Sequence, residues 1–211
     1  MDRPIDPIRL FDRNAAHYQA KYMDVGRYAA SLDLFCSSMG RTGAEVLEVA
    51  CGPGNITAYL LKKRPDLRIL GTDAAPRMLE LARATNPTAT FQLLDARHIA
   101  RVGTTYDGLV CGFVLPYLTP EEAGQLISDS AKLLRAGGVL YLSTMEGDPA
   151  RSGPQLPSSG EGEPVIVHYY MARFLTDALR AQGFTVLALS RYMYRAPDGS
   201  AVTDVVVVAE R

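Results

Sequence analysis

Two hydrophobic rhythms alternate along this chain. Short apolar runs at 46–50, 68–73, 90–94, 106–110 and 139–143 carry few polar positions, and Val46-Leu47-Glu48-Val49-Ala50 reads as a strand covered on both faces. Helical spacing fills the intervals, as at Ile56, Leu60 and Leu61 after the first run. Strand and helix in alternation predict an α/β fold: parallel strands, right-handed crossovers, and helices on both sheet faces. The helix before the fifth run is marked most clearly. Thr119 can cap it, Pro120 suits its first turn, Glu122 completes a Thr-x-x-Glu capping box, and Gly137-Gly138 end it.

The flanks have different rhythms. Phe11, Ala15, Tyr18 and Tyr22 fall on one helical face, and a second helix is expected from about Tyr28 to Met39, so residues 1–40 read as a helical cap. Between Glu146 and Glu163 glycine, proline, serine and charge replace periodicity, which predicts a long loop leaving a strand's carboxyl end, the position of a substrate lid over 147–168. A last helix, about Met171 to Gln182, stops at Gly183. The runs 184–189 and 201–208, joined by Ala196-Pro197-Asp198-Gly199-Ser200, predict an antiparallel hairpin.

Length and charge narrow the function. A chain of 211 residues fits one α/β domain, divided into the cap (1–40), a binding core (41–146), the lid loop (147–168) and a C-terminal helix and hairpin (169–211). A net charge of −1 gives no broad attraction to nucleic acid, which favours a small-molecule partner. Cys36, Cys51 and Cys111 lack the pairing of a disulfide framework or zinc site, so buried reduced thiols and no metal are expected. No run approaches a membrane span and the first residues do not begin a secretory signal, so the expected location is the cytoplasm, as monomer or homodimer.

The candidate chemistry starts where the first strand ends. Gly52 and Gly54 let backbone approach a ligand with no Cβ in the way, and Asp73 closes the second strand about 20 residues on, where a carboxylate meets ribose hydroxyls. Asp95 closes the third strand along the same crevice, facing an adenine. Nicotinamide, flavin and adenosyl-sulfonium ligands all use such a turn. The nicotinamide fingerprint fits poorly, because it puts Thr57 at the third glycine. Phe113, Pro116 and Tyr117 after the fourth strand, and His168, Tyr169 and Tyr170 after the loop, are candidates for an acceptor pocket; His168 is the candidate base among three histidines.

Glu48-Val-Ala-Cys-Gly-Pro-Gly54, Gly71-Thr-Asp73, Leu94-Asp-Ala96, Tyr106-Asp-Gly-Leu-Val110 and Leu133-Leu-Arg-Ala-Gly-Gly-Val139, in that order, resemble the motifs of class I S-adenosylmethionine-dependent methyltransferases of the ubiquinone/menaquinone-methyltransferase-like branch. The resemblance implies a Rossmann-like, seven-stranded, mostly parallel sheet of order 3-2-1-4-5-7-6 with strand 7 antiparallel. It implies S-adenosyl-L-methionine as cofactor. The turn Ala50, Cys51, Gly52 and Gly54 would serve the methionine and ribose region, Glu48 the methionine amino group, Asp73 with Ala74 and Met78 the ribose side, and Asp95 with Ala96 the adenine. Phe11-Asp-x-x-Ala-x-x-Tyr18 would bring Tyr18 or Tyr22 over the methionine end. Ala50 stands where the family usually has glycine, and crowding near the methionine moiety is the expected result. Methyl transfer to a small acceptor through oxygen, nitrogen or carbon is the implied activity. A cofactor-binding protein without its own transfer, or a nicotinamide-dependent oxidoreductase, are the readings set against it.

Overall fold

The structure is a computed structural model that describes residues 4–156, 163–196 and 199–211. The five apolar runs become strands β1 (Glu45–Val49), β2 (Arg68–Asp73), β3 (Thr90–Leu93), β4 (Tyr106–Gly112) and β5 (Leu134–Glu146). A short pair follows, β6 (Gly153–Gln155) and β7 (Val165–Val167), then the long hairpin β8 (Thr185–Arg195) and β9 (Ala201–Glu210). The main sheet has the order β3-β2-β1-β4-β5-β9-β8. Its first five strands are parallel and β9 runs against both β5 and β8. With the β6–β7 pair set aside, this is the 3-2-1-4-5-7-6 order expected from the sequence.

Burial explains the apolar runs. Leu47, Val49, Leu109, Cys111, Leu140 and Leu142 point to the face covered by α6 (Pro120–Leu133) and α7 (Ala172–Ala181). Val46, Val110, Val139 and Tyr141 point to the other, beneath α3 (Ala29–Ser38) and α4 (Asn55–Lys63). Each fully buried aliphatic side chain contributes about 1.5–3 kcal/mol by leaving water. The α6 capping box forms with both of its hydrogen bonds. Cys36, Cys51 and Cys111 are buried and unpaired, and among the described residues no helix is long and apolar enough to cross a membrane.

The structure departs from the sequence expectations in three places. β5 starts at Leu134, ahead of the double glycine: Leu134 pairs with Tyr106, the ladder breaks around Gly137 at φ 73°, and pairing resumes at Val139 with Gly108. The cap is broken at Asn14 into α1 (Pro7–Arg13) and α2 (Ala15–Tyr22), and a tight turn at Gly26–Tyr28 precedes α3. The segment expected as a bare loop is also a structured strap where it is described. Val165-Ile166-Val167 is a β-branched run that pairs with β6, and Val165 bridges to Ile5 and joins Leu10 in a small apolar cluster. Residues 157–162 of that loop, and Pro197 and Asp198 of the hairpin turn, lie outside the described residues.

Candidate active site

A cavity opens along the carboxyl ends of β3, β2, β1 and β4, beneath the cap. Its floor is the turn after β1. Gly52 takes φ 54° and Gly54 φ 79°, and a Cβ on Gly54 would lie 2.3 Å from the Asn86 amide nitrogen, which donates to the Gly54 carbonyl. Glycine is required there by conformation and by space. Ala50, also on the wall, adopts φ 53°, so it holds with a Cβ the left-handed conformation that glycine adopts without strain. The sequence predicted crowding at Ala50; the structure adds backbone strain.

Asp73 is 9% exposed, and its carboxylate grips the floor: Oδ2 accepts the Gly52 N–H and Oδ1 the Ala75 N–H, each at 2.8 Å. Burial raises its pKa, and these backbone donors oppose the rise. A carboxylate has about four lone-pair positions, so Asp73 keeps acceptor capacity for a hydroxyl donor beside its backbone partners. Asp95 at the end of β3 is bound more tightly. Arg97 folds back onto it through its backbone N–H and guanidinium at 2.9–3.1 Å. Burial alone would raise the Asp95 carboxyl; the Arg97 hydrogen bonds outweigh it and hold it low.

Glu48 lies behind the floor, 2% exposed, and accepts the Thr57 hydroxyl of α4. Burial pushes its carboxyl up to about 8; the Thr57 bond works against that rise and the Asp73 charge adds to it. A buried acid without a cationic partner is stable only while it keeps its proton.

The roof is aromatic. Phe11 packs edge-on against Tyr18 at 5.6 Å and Tyr117 at 4.9 Å, and Tyr18 lies 4.6 Å from Tyr22. The Asn55 amide donates to the Tyr22 carbonyl at 2.8 Å, and Asp12 accepts the Arg77 N–H at 2.8 Å, so the cap is fastened to the first turns of α4 and of α5 (Pro76–Thr85). Burial raises the pKa of both Tyr18 and Tyr117, which stay neutral phenols.

Of the residues expected from sequence, Tyr18, Ala50, Gly52, Asp73, Ala74 and Met78 line the cavity, as do Asp95, Ala96, Phe113 and Tyr117. Glu48, Cys51, Gly54 and Tyr22 back it without lining it. His168, Tyr169 and Tyr170 lie elsewhere. The His168 backbone N–H donates to the Pro116 carbonyl at 2.8 Å. The Tyr169 hydroxyl meets Gln155, and the Tyr170 hydroxyl, buried, meets the Leu118 carbonyl at 2.5 Å. Sequence reasoning missed Arg97, and it used Phe11 only as a helix-face residue. Phe11 shares the stripe of Tyr18 and could have been found from it. Arg97 carries no such signal, since only the fold turns it back on Asp95.

These residues fit an adenosyl ligand: carboxylates stand at two neighbouring strand ends, a close-approach glycine floor lies beside them, and aromatic rings cover the far end. A family model described as "Methyltransferase domain" matches residues 46–138. A trans-aconitate 2-methyltransferase of Methylobacterium radiotolerans is 46% identical over 174 residues, 75% of this chain and 65% of that protein. Another, from Azoarcus sp. (strain BH72), is 33% identical over 116 residues, 55% of this chain and 45% of its own length. The matches thus span about half to two-thirds of those relatives. Among solved structures, the N-methyltransferase NodS from Bradyrhizobium japonicum WM9, in complex with S-adenosylhomocysteine, superimposes with a TM-score of 0.72 at 18% identity, covering 98% of this chain and 99% of that one.

Proposed function

We propose that this chain is a class I S-adenosylmethionine-dependent methyltransferase, one that transfers the methyl group of S-adenosylmethionine to a small-molecule acceptor. The methyltransferase model over residues 46–138 and the relatives matched over about half to two-thirds of their length support this reading. One observation carries this reading: Asp73 at the end of β2 is hydrogen-bonded to the Gly52 floor and keeps acceptor capacity toward the cavity. S-adenosylmethionine, when bound, supplies a methyl already activated on a positive sulfur, so no protein nucleophile is required. The chain's own part is to hold two reactants in line and keep water out.

In this reading Asp73 takes the ribose hydroxyls, with Ala74 and Met78 beside it. Asp95, steadied by Arg97, and Ala96 meet the adenine. Ala50, Cys51, Gly52 and Gly54 carry the methionine segment past Glu48, whose buried carboxyl suits an ammonium. Tyr18 and Tyr22 roof the sulfur end, and Phe113 and Tyr117 begin the acceptor wall. His168, Tyr169 and Tyr170 support that wall from behind, through Pro116 and Leu118, and the reading assigns no proton transfer to His168. Residues 1–40 act as the cap, 41–146 as the binding core, and the strap within 147–168 as its brace. Buried unpaired cysteines support a reducing compartment such as the cytoplasm. The net charge of −1 supports a small acceptor over nucleic acid.

The test is single-turnover transfer of a labelled methyl from S-adenosylmethionine onto a metabolite extract, followed by identification of the product. A labelled small molecule whose formation is abolished by Asp73→Ala is expected. Binding of the donor without any labelled product would favour a cofactor-binding protein lacking its own transfer.

A further inference from the structure

The motif Leu94-Asp95-Ala96 gives no part to the residue that follows it, yet Arg97 lines the cavity beside Asp95. Asp95 caps the short helical turn Ala96–Val102, and its Oδ1 accepts the Arg97 backbone N–H at 2.9 Å. The Arg97 side chain then returns over the same carboxylate. Nε donates to Oδ1 at 2.9 Å and to Oδ2 at 3.1 Å, and Nη2 lies 2.8 Å from Oδ2. A guanidinium fork of this kind fixes the orientation of a carboxylate as well as balancing its charge. Nη1 lies 3.7 Å from Glu122 of α6, whose other oxygen accepts the Thr119 N–H, so the arginine is held from a second element.

That clamp decides what Asp95 can offer a purine. Most of the carboxylate's acceptor capacity is spent on Arg97, and what remains can accept a hydrogen bond but not donate one. Burial raises the Asp95 carboxyl; the Arg97 bonds and charge, with the His98 charge, outweigh it and hold it low. Arg97 itself faces the charges of Asp95, Glu122 and Asp6, the residue that caps α1. Adenine and hypoxanthine differ along one edge. Adenine presents an exocyclic amino donor and a bare N1, whereas hypoxanthine presents a carbonyl oxygen and an N1–H. An ionised carboxylate fixed opposite the exocyclic group meets the amino donor and repels the carbonyl. Freed from the clamp, it could turn to the neighbouring N1–H, or take a proton and donate to the carbonyl, and so accept either base.

We propose that Arg97 is a specificity-determining residue of the base pocket: by clamping Asp95 in one orientation as an acceptor, it makes the site select adenine over hypoxanthine. This rests on the reading that puts an adenosyl group in the cavity with its base at Asp95. A site built to receive a donor rejects a ligand that brings an acceptor to the same place, because the mismatched groups are left opposed. Arg97 acts through Asp95. Its loss therefore alters discrimination between the bases and the pH dependence of that discrimination, and leaves the Asp73 contacts to the ribose, which both nucleosides share.

Calorimetric titration of the full chain with S-adenosylhomocysteine and with its deaminated counterpart, S-inosylhomocysteine, tests this between about pH 5 and about pH 8. The readout is the ratio of the two affinities, from which the titration of Asp73 cancels. The wild-type chain is expected to prefer the adenosyl compound by about tenfold or more, evenly across the range. Arg97→Ala should cut that ratio by about threefold or more at the alkaline end and further toward the acid end, where Asp95 takes a proton. Arg97→Lys, which keeps the charge but not the fork, should lower the ratio while holding it level with pH. His98→Gln in each background keeps that side chain out of the profile. Equal affinities in the wild-type chain, or an Arg97→Ala ratio and pH profile matching the wild type, would overturn the proposal. Should Arg97→Ala fail to fold, Arg97→Gln is read in the same way. A chain that binds neither compound would remove the adenosyl reading and the proposal with it, whereas equal binding of both removes the proposal alone.

Discussion

Single residues carry most of the energetic tension around the cavity. Ala50 at φ 53° bears a left-handed penalty of about 1–2 kcal/mol, of which glycine's extra unfolded-state entropy returns about 0.4–1. Ala50→Gly is therefore expected to raise stability by up to about 1 kcal/mol, read from urea midpoints. Asp73→Ala removes the acceptor for the Gly52 and Ala75 amides; a loss of about 1–3 kcal/mol in S-adenosylhomocysteine binding is expected by calorimetry, and unchanged affinity would reject the ribose assignment. Glu48 gives a pH signature. Its native carboxyl, pushed up to about 8 by burial, keeps a proton that the unfolded chain releases near 4.5. The native state binds more protons between those values, so this contribution to stability is complete below the lower one and disappears as pH rises through the upper one. Melting curves of the free protein should show the decline, and Glu48→Gln should flatten it. An unchanged slope in that variant would place the titration elsewhere.

At the scale of elements, the sequence was most legible where one physical rule dominates. The apolar runs mark β1 to β5 because these strands are covered on both faces. Thr119, Pro120 and Glu122 mark the start of α6 because an exposed helix end needs its amides satisfied. The breaks were less legible. Nothing local announces that Leu134 pairs with Tyr106 before the double glycine, since that pairing depends on a strand about thirty residues away. The strap was misread because glycine and proline around it hid the three-residue run Val165–Val167, and its partners Ile5 and Leu10 come from the other end of the chain. The resemblance put Tyr18 or Tyr22 over the site, but the hydrogen bonds that fasten the cap to α4 and α5 could not be read from it. Asn55→Ala removes the donor to the Tyr22 carbonyl, and a loss of about 1 kcal/mol in cap closure is expected. Hydrogen exchange should then quicken across residues 15–22 with β1 and β4 unaffected; uniform quickening would mean global destabilisation instead.

Across the whole molecule, sheet order and cavity follow from one topological fact. β1 and β4 are neighbours whose crossover helices lie on opposite faces, and a doubly wound sheet opens a crevice at such a reversal. The motif residues Gly52, Asp73 and Asp95 were readable because they close consecutive strands at that crevice. The aromatic roof was less so, because Phe11 and Tyr18 of the cap meet Tyr117 and Phe113 along the cavity only after the cap and the segment following β4 are assembled.

The central claim is that this crevice binds an adenosyl group joined to methionine. Isothermal titration of the full chain with S-adenosylhomocysteine, with NADH as the competing nucleotide, tests it most directly. One saturable S-adenosylhomocysteine site, weakened by Asp73→Ala, with no heat from NADH, is the predicted result. Saturable NADH binding with no response to S-adenosylhomocysteine would contradict it.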